Sequence, residues 1–160
     1  MNLITDRTQA DVDAVKSLRT KRLSDMTEEE RAAWLSGMKG AYNAADLNRV
    51  QEAMEEIAEM LTGYGYPTTV KRPSLAENRE SWEMSDIADP GNRTLYLSNV
   101  QTIRDAFAVL DTTPQVPPNM EGFTWQQANE LEQILADVTY LIEQMALAFM
   151  HSGEVYCGEV

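Results

Sequence analysis

The stretch TWQQANELEQILADVTYLIEQMALAFMH, residues 124–151, decides the fold. Its apolar positions Ala128, Leu131, Leu135, Val138, Ile142, Met145 and Phe149 alternate in steps of three and four over three heptads. That period belongs to one face of an amphipathic helix, and Ile134, Leu141 and Ala148 widen the stripe. A helix starting near Thr124 and running to about His151 is expected, with a seam wide enough to pack on more than one neighbour.

Upstream, Leu47, Val50, Met54, Ile57 and Leu61 repeat the pattern, predicting a helix from around Asn43–Asp46 to Thr62 that Gly63 ends. The two stretches align at an offset of 81 residues, where Asn48 meets Asn129 as the one match outside the apolar pattern. A weak two-unit repeat, 41–66 and 122–153, is one reading; the other is that any two amphipathic helices align on their seams. Capping boxes at Thr8–Asp11 and Thr27–Glu30 open two further helices, the first carrying Val12, Val15 and Leu18 toward Leu23, the second Trp34 and Leu35 before Gly37 and Gly40. A fourth helix is expected from about Asn92 to Leu110 on Tyr96, Val100, Ile103, Phe107 and Leu110. The stiff connector Thr112–Pro118 follows it.

Residues 63–93 read differently. Glycines and prolines punctuate them and no helical period survives, so a long irregular connection is expected, pinned onto the helices by Trp82, Met84 and Ile87. The expected fold is mainly α: a single domain over 1–160, about five helices in a bundle, an irregular middle and a short C-terminal extended segment at 153–160.

The chain carries 13 Lys and Arg against 26 Asp and Glu, a formal charge of −13. That balance and the absence of an evident basic patch argue against nucleic acid and membrane surfaces as partners, and no apolar run is long enough to cross a bilayer. Residues 1–40 hold seven bases and seven acids, whereas residues 111–160 hold eight acids and no base. The first residues lack the pattern of a secretory signal, so a protein made in the cytoplasm is expected.

Little points to chemistry. The one histidine, His151, and the one cysteine, Cys157, exclude zinc and iron-sulfur sites of the usual kinds and di-iron bundles of the Glu-x-x-His type. Glu52, Glu55, Glu56 and Glu59 lie mostly off the apolar stripe of their helix and read as a solvated face. Asp86 and Asp89 lack the spaced oxygen ligands of a calcium loop. No catalytic residue, metal or cofactor is expected. Tyr64, Tyr66, Trp82 and Trp125 sit near element ends, where aromatics either close a core or face a partner. The candidate interaction residues are Trp82, Trp125, Leu131, Leu135, Val138, Ile142, Met145, Phe149, Val155 and Tyr156, the last two in a terminal segment with a strand-like pattern that invites edge pairing.

Three phrases carry a resemblance: Ile4-Thr5-Asp6-Arg7-Thr8 with Asp11-Val12, Gly40 to Val50, and Ser152-Gly153-Glu154-Val155-Tyr156 with Gly158-Glu159-Val160. Together with Ala106–Leu110 before the Pro-rich connector, they resemble a family of tail and baseplate proteins encoded by prophages of Gram-positive gut bacteria. The resemblance implies a structural role in a virion tail (tail tip, baseplate or fibre attachment), with other tail proteins and copies of itself as partners. It supplies no catalytic residues. A small acidic adaptor that binds a basic partner protein is the alternative.

Overall fold

A computed structural model describes residues 1–73, 75 and 79–153, with backbone alone for 149–153. Five α-helices make up the fold, and the described residues contain no strand: α1 (Gln9–Arg19), α2 (Glu28–Ser36), α3 (Ala44–Gly63), α4 (Pro90–Arg104) and α5 (Trp125–Gly153). Short 3-10 turns at Leu23–Asp25 and Asp86–Ala88 punctuate the connections.

The helix starts lie where local chemistry puts them. Thr8 with Asp11, Thr27 with Glu30 and Asn43 with Asp46 each form a reciprocal capping box that satisfies free N–H groups of the first turn. Asp89 caps α4 and Pro90 occupies its first position, where a missing N–H costs nothing. Thr124 and Gln127 exchange backbone and side-chain hydrogen bonds at the start of α5.

Helix α4 ends at Arg104, short of the expected Leu110. The apolar spacing continues past that point, but the chain turns: Phe107 leaves the helix axis to pack on Tyr66, with ring centroids 5.5 Å apart. Arg104 bends over to donate to the carbonyls of Pro114 (2.8 Å) and Thr113 (3.4 Å). Tertiary contacts override the period here. Met84, expected to pin the irregular middle, is 53% exposed, whereas Trp82 is buried edge-on against Tyr96.

The three long helices run parallel. Tyr42, just before α3, packs on Phe123, just before α5, and shares a 2.7 Å hydroxyl hydrogen bond with Tyr96 in the middle of α4, so α3 and α5 start together beside the centre of α4. The Tyr66–Phe107 contact joins the far ends of α3 and α4. Parallel neighbours require the chain to climb back between helices, which explains the long irregular stretches. An extended chain covers about 3.3 Å per residue against 1.5 Å in a helix, so a return over α4 needs only about seven residues and the connection has room to spare.

Extended backbone packed on helices has no sheet to satisfy it, and side chains do the work instead. Asn129 of α5 accepts from the N–H of Arg7 (3.0 Å) and donates to its carbonyl (2.9 Å). Asn99 of α4 holds Lys71 in the same way (3.1 and 2.7 Å), and Asn48 of α3 holds Trp82 (2.7 and 3.1 Å). A carboxamide presents one donor and one acceptor in the arrangement of a neighbouring peptide edge, which neither an acid nor an apolar residue can do. The two asparagines that align at offset 81 thus perform the same task in α3 and α5.

Between the helices lies one core, in which Val50, Met54, Ile57 and Leu61 of α3 meet Val100 and Ile103 of α4 and Leu131, Leu135, Val138 and Ile142 of α5, all fully buried. The α1–α2 pair sits at the starting end. There Gly40 lies so close to α1 that a Cβ would fall 2.2 Å from the backbone carbonyl of Asp11.

Candidate functional site

Two features stand out: a buried charge cluster and two apolar poles. The cluster forms where the N-terminal segment crosses the groove between α3 and α5. Arg7, 2% exposed, donates from Nη2 to Asp46 (2.9 Å) and Glu132 (2.7 Å), and from Nη1 to the carbonyl of Ile4 (2.7 Å). Arg49 places its own Nη2 2.7 Å from the same two carboxylate oxygens. Glu132 is fully buried and also accepts the N–H of Ile4 at 2.5 Å. Two guanidiniums balance two carboxylates, the condition under which buried charge is tolerable.

The surroundings respond as expected for a dry, charged centre. Burial pushes the Tyr42 hydroxyl well above the usual tyrosine range, opposed by its hydrogen bond to Tyr96, and burial likewise raises Tyr96. Burial pulls against the charge on Arg49, but its hydrogen bonds to Glu132 and Asp46 win and raise it. The Arg7 guanidinium also lies 5.4 Å over the Tyr42 ring. Every carboxylate in the cluster is engaged by guanidinium and backbone donors, so the arrangement acts as a latch on residues 4–7.

None of these four residues was among the sequence candidates. A signal existed: Glu132 falls among Ala128, Leu131 and Leu135 on the apolar face of α5, and a charge there calls for a buried partner.

Of the sequence candidates, Leu131, Leu135, Val138 and Ile142 are fully buried and Trp82 is 3% exposed, so their contacts are within the chain. Met145 is half-buried. Trp125, also half-buried, opens α5 and donates from Nε1 to Gln9 (3.2 Å). The side chain of Phe149, and Val155, Tyr156 and Cys157 with the whole expected terminal strand, lie outside the described residues, as does the side chain of His151.

The carboxylates considered for chemistry have structural employment or face solvent. Glu52, Glu56 and Glu59 are exposed. Glu55 is forked by Arg72 at 2.5 and 2.6 Å; burial raises its pKa, but that pairing prevails and lowers it. Asp86 receives the Arg79 fork (2.9 and 3.1 Å), which holds its carboxyl below the usual range, and Asp89 caps α4. Among the described residues no His, Cys, Asp and Glu side chains gather as a metal site, and no helix is long and apolar enough to cross a membrane.

The first pole is the finishing end of the bundle. Tyr64 and Tyr66 follow α3, Leu110 follows α4, and Leu147 lies on α5; all are exposed, from 36% to 44%. Helix α5 outruns its neighbours. Counting from the level where Glu132 meets Asp46 and Arg49, it continues for 21 residues while α3 has 14 to 17 left. The excess is about 6–10 Å at 1.5 Å per residue. Between Val138 and Gly153 the only formal charge is Glu143. Exposed Glu59, Asp105, Asp111 and Glu143 surround this end.

The second pole lies at the opposite end, where Val15 of α1, Trp34 and Leu35 of α2, Met38, and Met84 line a cleft of about 400 Å³. Leu35 is 72% and Met84 53% exposed. Beside it Lys16, Arg19, Lys21 and Arg22 are exposed, with Lys21 2.6 Å from Glu30 and Lys16 3.9 Å from Asp13.

Comparisons with protein families, with curated proteins and with solved structures find no match for this chain.

Proposed function

We propose that this protein is a structural component of a bacteriophage tail, acting through protein–protein contacts at the tail tip, baseplate or fibre attachment. The tail assignment comes from the sequence resemblance at both ends and the middle of the chain. One observation carries the role in assembly: at the finishing end of the bundle Tyr64, Tyr66, Leu110 and Leu147 are all exposed. Apolar surface gathered at one pole of a chain this acidic has no use in a solitary molecule and is favourable when covered. The buried cluster supports the same reading, since its charges are spent on fixing the N-terminal segment.

The test is direct binding of the full chain to each tail protein encoded beside it. Binding should weaken at least tenfold in Leu147→Glu, which adds a charge at an exposed site on the finishing end. A chain that binds none of those proteins removes the assignment. The adaptor alternative rests on the exposed acids around the same pole, and a partner lost on raising salt with no effect of Leu147→Glu would favour it.

A further inference from the structure

We propose that residues 1–36 form an exchangeable arm, and that the groove between α3 and α5 takes the arm of a second copy of this chain in place of its own. Two chains that trade arms fill both grooves, so the product is a closed pair. The inference stands apart from the tail assignment and uses neither apolar pole.

The arm is a satellite of the bundle. Of residues 1–36 only Arg7, Leu18 and Met26 are buried. Leu18 and Met26 lie outside the cluster that forms the main core, and Leu3 is the one apolar side chain of the arm packed against it. Helix α1 makes its main helix contact with α2 rather than with α3, α4 or α5. What fastens the arm is therefore its first nine residues, which run antiparallel to α5. Met1 Sδ lies 3.7 Å from the Thr139 hydroxyl, Ile4 donates to Glu132, Arg7 exchanges backbone hydrogen bonds with Asn129, and Gln9 accepts from Trp125.

Charge decides the occupant. With the arm away, Asp46 and Glu132 face Arg49 alone, and one buried negative charge has no cation. Filling the groove again takes an extended segment that offers an N–H and, three residues on, a guanidinium beside a free peptide edge. The arm of a second copy meets that demand by identity. Every receiving group, from Lys39, which pairs with Asp6, and Gly40, which fits against Asp11, to Asn129 and Glu132, lies beyond Gly37 in the chain. Gly37 ends α2 with a φ of 85°, and a glycine can leave that conformation for an extended one at little cost. Contacts broken within one chain are thus re-formed between two, and exchange costs only the change at this link and the entropy of association.

Complementary variants of the full chain test the proposal. Arg7→Met spoils the arm and keeps the groove, whereas Glu132→Met spoils the groove and keeps the arm. Each alone should sediment chiefly at the 18.0 kDa of one chain, because exchange between identical defective copies mends nothing. Unfolded in urea and refolded as an equal mixture, they should form mainly a species of two chains, with an unfolding midpoint above that of either variant. One groove then holds Arg7 with Asp46, Arg49 and Glu132, and the other carries both substitutions around the balanced Asp46–Arg49 pair. A mixture no more paired than its separate components, or no more stable, overturns the proposal. The wild type gives a second reading that does not depend on how the variants fold. Refolded from urea at high and at low micromolar concentration, it should leave more of the two-chain species in the concentrated sample, and dilution should release it slowly because both latches must open. Monomer alone at both concentrations, or a pair lost at once on dilution, overturns the proposal.

Discussion

Replacing Arg7 by Met tests whether the charge cluster governs stability. The substitution keeps an unbranched chain of similar length but removes one of the two cations facing Asp46 and Glu132. Arg49 alone then remains, 2.7 Å from both carboxylates, and one negative charge in a nearly solvent-free site goes uncompensated. Breaking a buried ion pair by removing one partner costs about 3–5 kcal/mol, a large share of the roughly 5–15 kcal/mol that stabilises an ordinary domain. With a urea dependence of about 2 kcal/mol per molar, the unfolding midpoint should fall by about 2 M. Glu132→Met should cost a similar amount by leaving an excess cation. The double variant should behave differently, because it retains a balanced Asp46–Arg49 pair at 2.7 Å and loses chiefly the Ile4 hydrogen bonds. It should lie within about 2 kcal/mol of wild type, a coupling of at least about 4 kcal/mol. Urea denaturation followed by circular dichroism measures all four corners of the cycle. An Arg7→Met cost below about 1 kcal/mol, or additive single effects, would refute the argument that these charges act as one buried unit.

Three more outcomes follow from the geometry. Asn129→Ala should cost about 1–3 kcal/mol in the same assay, because both backbone groups of Arg7 lose their partner, and should raise amide exchange in residues 1–8 ahead of the rest of the chain. Gly40→Ala forces a methyl into the backbone of α1 and should destabilise by at least about 2 kcal/mol, whereas Gly65→Ala, with open space around it, should show only the smaller strain of its positive φ of 89°. Stability should fall above pH 10: Tyr42 and Tyr96 have folded pKa values raised above the unfolded value, so their protonated forms favour the fold until rising pH ionises the unfolded chain. A tyrosinate absorbance titration should find two of the six tyrosines silent until unfolding, and free titration of all six removes the claim.

Much of the fold was legible because it is local. Three capping boxes, a proline at the first turn of α4 and three- and four-step apolar spacing are decided by residues within a turn or two of each other. The end of α4 was not, because Ile103, Phe107 and Leu110 keep the period while Tyr66 and the carbonyls at 113 and 114 draw the chain away. The candidate site divided along the same line. The apolar stripes of α3 and α5 were visible, yet whether Leu131 or Leu135 faces a neighbouring helix or another molecule depends on what packs there, and in this chain α3 and α4 cover them. Arg7 and Glu132 pair across 125 residues, a distance over which spacing carries no signal.

The length of the irregular segments held more than their composition suggested. Helices joined by two to eight residues run antiparallel, so the stretches of 26 and 20 residues between α3, α4 and α5 were already compatible with parallel helices and extended returns. Such returns need partners for both edges of their backbone, and helix interiors disfavour Asn unless its side chain has other work. Asn48 and Asn99 do that work for Trp82 and Lys71 in the return between α3 and α4, and Asn129 does it for Arg7 in the extended N-terminal segment. Among the described residues these connections are thus anchored by side chains rather than by a sheet. The N-terminal segment latched by Arg7 keeps α1 in place at the starting pole.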